Sequence, residues 1–471
     1  MILLSLFIQL LALNLPQVFS DHMVLQQDRA VPVWGEAAPR EQIVVTLIPE
    51  AGGAPVATVK VRADRQGAWR VDLPAAHADG SAYILQVKGK KETIRFEDVV
   101  YGEVWLCSGQ SNMAYEMRRS WQAPPRKGED LATAELQLPA NGNIRVYLSG
   151  SRPARFGEPA RDSWKIADGE SLAPVSAAGY FFAKAVQEDL GVPMGLISAS
   201  VGGSAIAQWL PGGSLGARLV EPLMPYAVTG FLWYQGETDL AQRNDHYVED
   251  YRQLTAFWRE GFEAPDAPFY SVLLAPHTYS DRMHRQSRVT AEALPLFWQT
   301  QIRTEQAVEN SRVVCISDLV DNVEDIHPSY KWIVGERLAR VALCDRYGRK
   351  DLGEWSGPRA ESLRTEADPD GNGQRLVVRF SACGSGLTGR SNSVEPRSTA
   401  RLKWFEIAGA DGVWHAAFAD IIGPEEVAVS HPDVPAPAAV RFAWHETAQP
   451  NLFNDAQLPA LPFCLSLRPA L

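Results

Sequence analysis

The sequence predicts a soluble protein in which one doubly wound α/β domain lies between two β-rich regions. Between about residues 101 and 347, short apolar runs alternate with stretches of helical periodicity, as in parallel βαβ units. On both sides, short β-type runs are separated by turn residues, without a convincing helix. A chain of 471 residues is also long for a single core. We therefore expect an N-terminal sandwich-like region (1–100), a central domain (101–347) and a C-terminal β-rich domain (348–471).

Composition narrows the possible partners. A hydrophobic content of 46% and a charged content of 21% are typical of a soluble globular protein. The formal net charge of -11 argues against nucleic acid or an anionic membrane surface as a partner, and leaves a sugar-like substrate open. The five cysteines include no C-x-x-C pair, so we expect no metal or other cofactor.

The N-terminus allows two interpretations. Residues 1–13 are strongly apolar, as in a signal segment, which would predict a secreted or periplasmic protein. However, they lack a basic start and a clear cleavage site, so residues 11–15 could instead form a first strand that belongs to the core. No other segment approaches the ~18 apolar residues that a membrane span needs.

The N-terminal region predicts a β-sandwich or jelly-roll-like module. Its expected strands are residues 30–35, 42–48, 57–61, 67–71, 83–87 and 92–96. Trp34 and Trp69 could bind sugar if exposed, but we expect both to belong to the core. The C-terminal region shows similar β-type runs, and nothing in it suggests chemistry.

The central domain alternates predicted strands with predicted helices. The strands are residues 104–107, 144–148, 194–199, 229–234, 269–275 and 313–317. The helices are residues 177–190, 244–263, 295–309 and 331–343. In a parallel sheet of this kind, functional residues lie on loops at the carboxyl ends of the strands.

A serine follows the first of these strands. Ser111 lies in a small polar turn, before a stretch that can start a helix. Such a strand–turn–helix hinge exposes a hydroxyl and directs free backbone N–H groups toward it, as acyl transfer requires. Met113 stands where a Gly-x-Ser-x-Gly motif needs its second glycine, so the ordinary α/β-hydrolase elbow is disfavoured.

Three further strand ends carry polar or flexible residues. They present Gly202 and Gly203, then Gln235 and Glu237, then Glu324, Asp325 and His327. A serine hydroxyl needs a base, and histidine has a suitable pKa. His327 is our candidate because an acid precedes it after the last strand, whereas His277 could line the pocket.

Three motifs in these loops resemble the sialate O-acetylesterase family, a branch of the SGNH hydrolases. They are GQSNM (109–113), WYQGE (233–237) and DIHP (325–328). The opening stretch FSDHMVLQ (19–26) and the closing stretches VRFAW (440–444) and NLFN (451–454) are also similar, so the resemblance covers nearly the whole chain. It implies a flavodoxin-like SGNH core with β-rich accessory regions, and removal of O-acetyl groups from sugars.

The resemblance also implies roles for the loop residues. Ser111 would be the nucleophile and His327 its base. The oxyanion would be held by the backbone N–H of Ser111, by that of Gly202 or Gly203, and by the Gln235 amide, where many SGNH relatives use Asn. The expected supporting residues are Gln110, Asn112, Glu237 and Glu324. For Glu237 we favour a structural role over orienting the Gln235 amide.

The acid that orients His327 is less certain from spacing. The general SGNH pattern, acid-x-x-His, selects Glu324, whereas the family's own Asp-Ile-His-Pro stretch selects Asp325. We favour Asp325, because a shorter side chain suits the tighter spacing.

Other functions and several substrates remain open. The 14 tryptophans and two β regions would suit a carbohydrate-binding protein, and the same core would suit a lipid or thioester hydrolase with a long apolar groove. The acetylated sugar could be sialic acid or a plant polysaccharide unit. Arg118, Arg119 and Arg243 follow the site loops and could bind a carboxylate.

Overall fold

The computed structural model describes residues 12–121, 124–150, 163–282, 289–371, 373–390 and 401–467. Within these ranges, no helix is both long enough and apolar enough to cross a membrane. Residues 1–11, which contain most of the possible signal segment, lie outside the described part of the chain.

The central domain is built on a mixed sheet whose site-bearing strands are parallel. Its strands are β7 (Thr93–Gly109), β8 (Asn141–Leu148), β9 (Trp164–Ala167), β10 (Met194–Ser200), β11 (Gly230–Tyr234), β12 (Phe269–Val272) and β13 (Ser311–Val314). Their order is β13-β12-β11-β7-β10-β8-β9, and among these seven described strands only β9 runs antiparallel to its neighbour. The six strands predicted for this domain are therefore confirmed.

Helices cover both faces of this sheet, which is why β11 is buried along its whole length. The helices are α1 (Leu131–Glu135), α2 (Gly169–Leu172), α3 (Ala177–Leu190), α4 (Glu237–Gln242), α5 (Tyr247–Gly261), α6 (Tyr279–Arg282), α7 (Ala293–Ala307) and α8 (Lys331–Asp345). Helices α3 and α8 pack together on one face, and α5 and α7 on the other. Shorter 3₁₀ or π segments are Met117–Trp121, Ile206–Trp209, Gly216–Val220, Glu221–Leu223 and Lys350–Leu352.

The N-terminal region shares a strand with the central sheet. Its strands are β1 (Val24–Gln26), β2 (Val31–Glu36), β3 (Gln42–Pro49), β4 (Ala57–Arg62), β5 (Ala68–Leu73) and β6 (Ala82–Lys88). The first half of β7 pairs with β6 and its second half with β10 and β11. The predicted boundary at residue 100 thus falls inside one continuous strand, which joins the two regions through backbone hydrogen bonds.

The start of the described chain belongs to the N-terminal region. Leu13 and Leu15 are buried, and Asn14 forms a single β-bridge with Glu36 of β2. A strand in the core sheet, one of the two interpretations of residues 11–15, is therefore wrong for the described part of that stretch. Trp69 is buried as expected, and Trp34 is half-buried against Phe19.

The C-terminal region is β-rich, as predicted. Its strands are β14 (Arg359–Ala367), β15 (Gln374–Ser381), β16 (Thr388–Gly389), β17 (Phe405–Ala408), β18 (Trp414–Ala416), β19 (Phe418–Gly423), β20 (Glu426–Ser430), β21 (Ala439–Phe442), β22 (Leu452–Phe453) and β23 (Phe463–Ser466). They form two four-stranded antiparallel sheets and a small two-stranded pair. The loop after β21 reaches the central domain, where the Glu446 carbonyl accepts the His277 N–H at 2.8 Å.

Candidate active site

The serine lies at the tip of a tight turn that follows β7. Gly109 ends the strand with φ 139°, and a Cβ atom there would lie 2.1 Å from the Tyr234 carbonyl oxygen. Only glycine therefore allows β7 and β11 to end so close together. The N–H groups of Met113 and Ala114 donate to the Gln110 carbonyl at 3.0 and 2.8 Å and close the turn around half-buried Ser111. The expected helix does not follow, since the next element is the 3₁₀ helix Met117–Trp121.

The histidine reaches this serine from the loop that follows β13. The Nε2 atom of His327 lies 2.8 Å from Ser111 Oγ. Two strands, β11 and β12, separate β13 from β7 in the sheet, so the loop must cross the carboxyl edge to bring the residues together. The structure therefore places the two residues at the hydrogen-bond distance that a serine and its general base require.

The other imidazole nitrogen, Nδ1, has two neighbours of opposite charge. Asp325 Oδ1 lies 3.5 Å from it and also accepts the His327 backbone N–H at 3.0 Å. An Nη2 atom of Arg119 lies 3.2 Å from the same nitrogen. Glu324, the alternative acid, is exposed, and its backbone N–H donates to Asn322. The geometry thus favours Asp325 over Glu324 and adds an arginine that the sequence did not assign to His327.

Burial and nearby cations keep the imidazole uncharged. Burial is the largest cause that lowers the pKa of His327, to about 4, and Arg119 and Lys331 lower it further. The half-exposed carboxylate of Asp325 opposes this shift. Because the neutral imidazole dominates at neutral pH, one ring nitrogen is free to accept a proton, and the ring can take the Ser111 proton when that nitrogen is Nε2.

Two backbone N–H groups next to the serine are available for an oxyanion. In the described ranges, neither Ser111 N–H nor Gly202 N–H donates to an acceptor. A Cβ atom on Gly202 would lie 3.5 Å from the Ser111 Cβ, whereas one on Gly203 would meet nothing within 4 Å. Of the two predicted glycines, Gly202 is therefore the one beside the nucleophile.

The structure disagrees with the expected oxyanion role of Gln235. Its side chain is fully buried, and Nε2 donates to the Ser204 carbonyl at 3.0 Å and to Asp239 Oδ2 at 2.5 Å. Tyr247 donates to its Oε1 atom at 3.2 Å. Both amide hydrogens therefore already have acceptors inside the loop network, and none is left for a substrate oxyanion. We interpret Gln235 as a residue that shapes the loops.

A buried polar network behind the nucleophile was only partly expected. The Asn112 amide nitrogen donates to Glu237 Oε1 at 2.5 Å and to the Ile326 carbonyl at 3.0 Å. Its oxygen accepts from the ammonium of Lys331 at 2.7 Å, which also lies 4.9 Å from the Tyr115 ring centroid. Lys331 is completely buried, although a lysine in the first turn of a helix normally faces solvent.

Two predicted supporting residues also belong to this region. The Gln110 side-chain oxygen accepts from the N–H groups of Gly236 and Thr238, each at 3.3 Å. Burial raises the pKa of Glu237 to about 7, and its Oε2 atom has no hydrogen-bond partner in the described ranges. Glu237 contacts Asn112 and not Gln235, which favours a structural role for it.

A cavity of about 460 Å³ opens beside the nucleophile. Its lining includes Gly202, Ser200 and the three arginines Arg118, Arg119 and Arg218. Arg243 instead ends α4, at the opposite end from Glu237, and is exposed. His277 is buried, and its Nδ1 donates to the Val323 carbonyl at 2.8 Å, so it supports the loop that carries His327.

Comparison with known proteins agrees with this site. Residues 101–344 match the family described as "Carbohydrate esterase, sialic acid-specific acetylesterase". Sialate O-acetylesterase from Homo sapiens is 28% identical over 406 residues, which cover 73% of each chain. Its counterpart from Mus musculus is 23% identical over 425 residues, covering 72% of this chain and 74% of the mouse protein.

A solved structure extends the similarity to nearly the whole fold. The crystal structure of a carbohydrate acetylesterase from Xanthomonas citri aligns with a TM-score of 0.80 and 30% sequence identity. The alignment covers 97% of this chain and 100% of that one. Because the family match spans more than half of the chain and includes the serine and histidine loops, the protein belongs to the carbohydrate esterase family of sialic acid-specific acetylesterases.

Proposed function

We propose that the protein is a serine esterase that removes O-acetyl groups from carbohydrates through an acetyl-serine intermediate. The observation that carries this proposal is the 2.8 Å contact between Ser111 Oγ and His327 Nε2, beside the N–H groups of Ser111 and Gly202, which have no acceptor among the described residues. Family membership and the similarity to a carbohydrate acetylesterase support the same reaction.

The reaction begins when Ser111 Oγ attacks the acetyl carbon and His327 Nε2 takes the hydroxyl proton. Negative charge develops on the carbonyl oxygen, which the N–H groups of Ser111 and Gly202 would stabilise. His327 then returns the proton to the sugar oxygen as the ester bond breaks. Water, deprotonated by His327, then attacks the acetyl-serine. The bond between the acetyl carbon and Ser111 Oγ breaks, His327 returns the proton to Oγ, and acetate leaves. Asp325 would hold Nδ1–H and stabilise the imidazolium in both steps.

We further propose that the central sheet is an SGNH-type, flavodoxin-like core. If the edge hairpin β8–β9 is set aside, the five remaining strands follow the order β10-β7-β11-β12-β13. Renumbered along the chain, this is 2-1-3-4-5, the flavodoxin-like order. The loops that carry Ser111, Gly202, Gln235 and His327 all lie at the carboxyl ends of these strands, which supports the assignment.

The site favours this function over the alternatives. The lining of the cavity includes three arginines and four serines beside a few apolar side chains, whereas a lipid hydrolase needs a long apolar groove. A protein that only binds sugar has no need of a serine–histidine pair beside unpaired N–H groups. We also propose a secreted or periplasmic location, which the strongly apolar residues 1–13 support.

Acetate release from a panel of O-acetylated sugars tests the proposal. The panel should pair O-acetylated sialic acid and acetylated xylo-oligosaccharides with a long-chain acyl ester and an acyl thioester, and Ser111→Ala should serve as the matched control. We expect acetate from at least one acetylated sugar and none above background from the variant. Turnover of the long-chain ester or thioester alone would overturn the proposal, and so would equal activity in the variant.

A further inference from the structure

Arg119 contacts His327 at Nδ1, the nitrogen that the mechanism requires to be hydrogen-bonded to Asp325. Its Nη2 atom lies 3.2 Å from His327 Nδ1, whereas Asp325 Oδ1 lies 3.5 Å away. A guanidinium can only donate hydrogen bonds, so this contact requires an unprotonated Nδ1. The Asp325 contact requires the opposite, a proton on Nδ1. The two neighbours therefore favour different tautomers of the same neutral ring.

The tautomer that Arg119 favours is inactive. With Nδ1 as acceptor, the ring proton lies on Nε2 and points at Ser111 Oγ, 2.8 Å away. Nε2 then cannot take the serine proton. A histidine held in the wrong tautomer costs a Ser–His–Asp enzyme about 10⁴ in kcat. Arg119 in this position therefore restrains the catalytic pair.

Arg119 is also placed to bind an anion. In the parts of the chain that the structure describes, no carboxylate lies within ion-pair distance of its guanidinium, which rests 5.0 Å from the Tyr115 ring centroid. Arg118, on the same 3₁₀ helix, instead pairs with Glu116 at 2.6 Å. Arg218, an exposed residue that also lines the cavity, likewise has no ion pair among the described residues.

The cavity provides room for the ligand that these arginines would attract. Its volume of about 460 Å³ is within the usual range for small-molecule sites, and Gly202 connects it to the nucleophile. The Ser200 hydroxyl, also in the lining, is buried without a partner in the described ranges. Guanidinium groups match the geometry of a carboxylate, so the cavity fits the acid group of an acetylated acidic sugar.

We propose that Arg119 couples substrate recognition to assembly of the catalytic triad. In the free enzyme its guanidinium donates to Nδ1 of His327. When the carboxylate of an O-acetylated acidic sugar draws Arg119 away, Nδ1 takes a proton from solvent and Nε2 gives its proton up to solvent. Nδ1–H then donates to Asp325, and Nε2 becomes free to act as base. Arg119 is thus a positioning residue through which the acid group of the substrate switches His327 to its active tautomer. The inference rests on the proposed deacetylation and adds how binding of the substrate assembles the catalytic triad.

A paired substitution separates this role from simple binding. Arg119→Met and Arg218→Met remove the same charge from the same cavity, but only Arg119 touches His327. The substrates are an O-acetylated sialic acid, its methyl ester, which lacks the charge, and p-nitrophenyl acetate. Both variants should lose about tenfold or more in kcat/KM for the acid. With the two uncharged esters, kcat/KM of Arg119→Met should be about tenfold higher than that of Arg218→Met, because His327 is no longer restrained in the Arg119 variant.

Two outcomes of this experiment would overturn the inference. One is an equal effect of both substitutions on the uncharged esters. The other is a wild-type enzyme that shows no preference for the acid over its methyl ester. Failure of the proposed function looks different, because the enzyme would then release acetate from no acetylated sugar at all.

The tautomer can also be observed without any substitution. Nitrogen NMR of wild-type enzyme labelled at the histidine rings should show the His327 proton on Nε2 in the free protein. Saturation with N-acetylneuraminic acid, which has the carboxylate but no O-acetyl ester, should move the proton to Nδ1. An unchanged tautomer, or no binding of this acid, would contradict the coupling even if the Arg119 variant failed to fold.

Discussion

The Asn112 amide nitrogen donates to the backbone carbonyl of Ile326 at 3.0 Å, so the residue after the nucleophile is bonded to the residue before the catalytic histidine. The two loops come from β7 and β13, which do not pair with each other. The Lys331 ammonium donates to the side-chain oxygen of the same amide. Together, the two hydrogen bonds fix the relative position of the serine and histidine loops.

Asn112→Ala should therefore impair catalysis and stability together. It removes the bond to Ile326 and leaves the buried Lys331 ammonium without its hydrogen-bond acceptor. A displacement of the catalytic pair by about 1 Å costs on the order of 10² in kcat. An unpartnered buried polar group costs about 1–3 kcal/mol, and more when it is charged. Steady-state kinetics and chemical denaturation measure the two effects, with exposed Asn143→Ala as the control. If the variant were destabilised but kcat were unchanged, Asn112 would contribute to stability and not to catalysis.

The pH profile of kcat/KM should show that activity persists below the ordinary pKa of histidine. Activity requires neutral His327, and its pKa is lowered to about 4, so kcat/KM should fall only as the pH drops through that value. Lys331, whose own pKa is lowered by burial to about 7, is cationic throughout this range. Lys331→Met removes that charge, which should raise the pKa of His327 and move the acid limb upward by about one pH unit.

The measurement is kcat/KM for p-nitrophenyl acetate against pH, in the wild type, in Lys331→Met and in the control variant Lys184→Met. Lys184→Met, which removes a lysine paired with Glu135, should leave the limb in place. A wild-type limb at the ordinary histidine pKa of about 6.5 would contradict the account, as would equal profiles for wild type and Lys331→Met.

Asp325 and Glu324 can be separated by a matched pair of neutral variants. Asp325 Oδ1 lies 3.5 Å from His327 Nδ1, whereas Glu324 is exposed and its side chain makes no contact with His327 among the described residues. Asp325→Asn should lose up to about 10⁴ in kcat, and Glu324→Gln should stay close to wild type. The reverse order would assign the role to Glu324, and small losses in both would point to a serine–histidine dyad.

Gln235→Ala should act mainly on stability. The Gln235 side chain forms hydrogen bonds with both the buried Asp239 carboxylate and the Tyr247 hydroxyl, and the substitution removes both bonds. We expect the free energy of unfolding to fall by about 1–3 kcal/mol. A loss of 10²–10³ in kcat at unchanged stability would instead restore the oxyanion role first expected from sequence.

Much of the fold follows directly from sequence pattern. The helix predicted at residues 177–190 has the same bounds in the structure, because Ser176 caps its first turn and Gly191 ends it in a left-handed conformation. The continuity of β7 could not be predicted. Its first half alternates exposed and partly buried residues while its second half is wholly buried, so its sequence resembles two separate strands.

Like the fold, the site could be predicted from sequence only in part. Ser111 and His327 could be predicted because the strand-end rule identifies which loops meet. The rule does not give side-chain direction, and the family resemblance placed the Gln235 amide at the oxyanion, although that amide points into the loop network. The contact of Lys331 with Asn112 and that of Arg119 with His327 could not be predicted, because each depends on packing between residues more than 200 positions apart in the chain.

The central claim is that Ser111 carries the acetyl group during turnover. The most direct test mixes the enzyme with an O-acetylated sugar, quenches the reaction in acid within one turnover and maps the acetyl group by peptide mass spectrometry. The account predicts an acetyl ester on Ser111 that disappears as acetate is released, and none in Ser111→Ala, whose kcat should fall by about 10⁶. Acetate release at the wild-type rate from Ser111→Ala, or an acetyl group trapped on another residue, would contradict it.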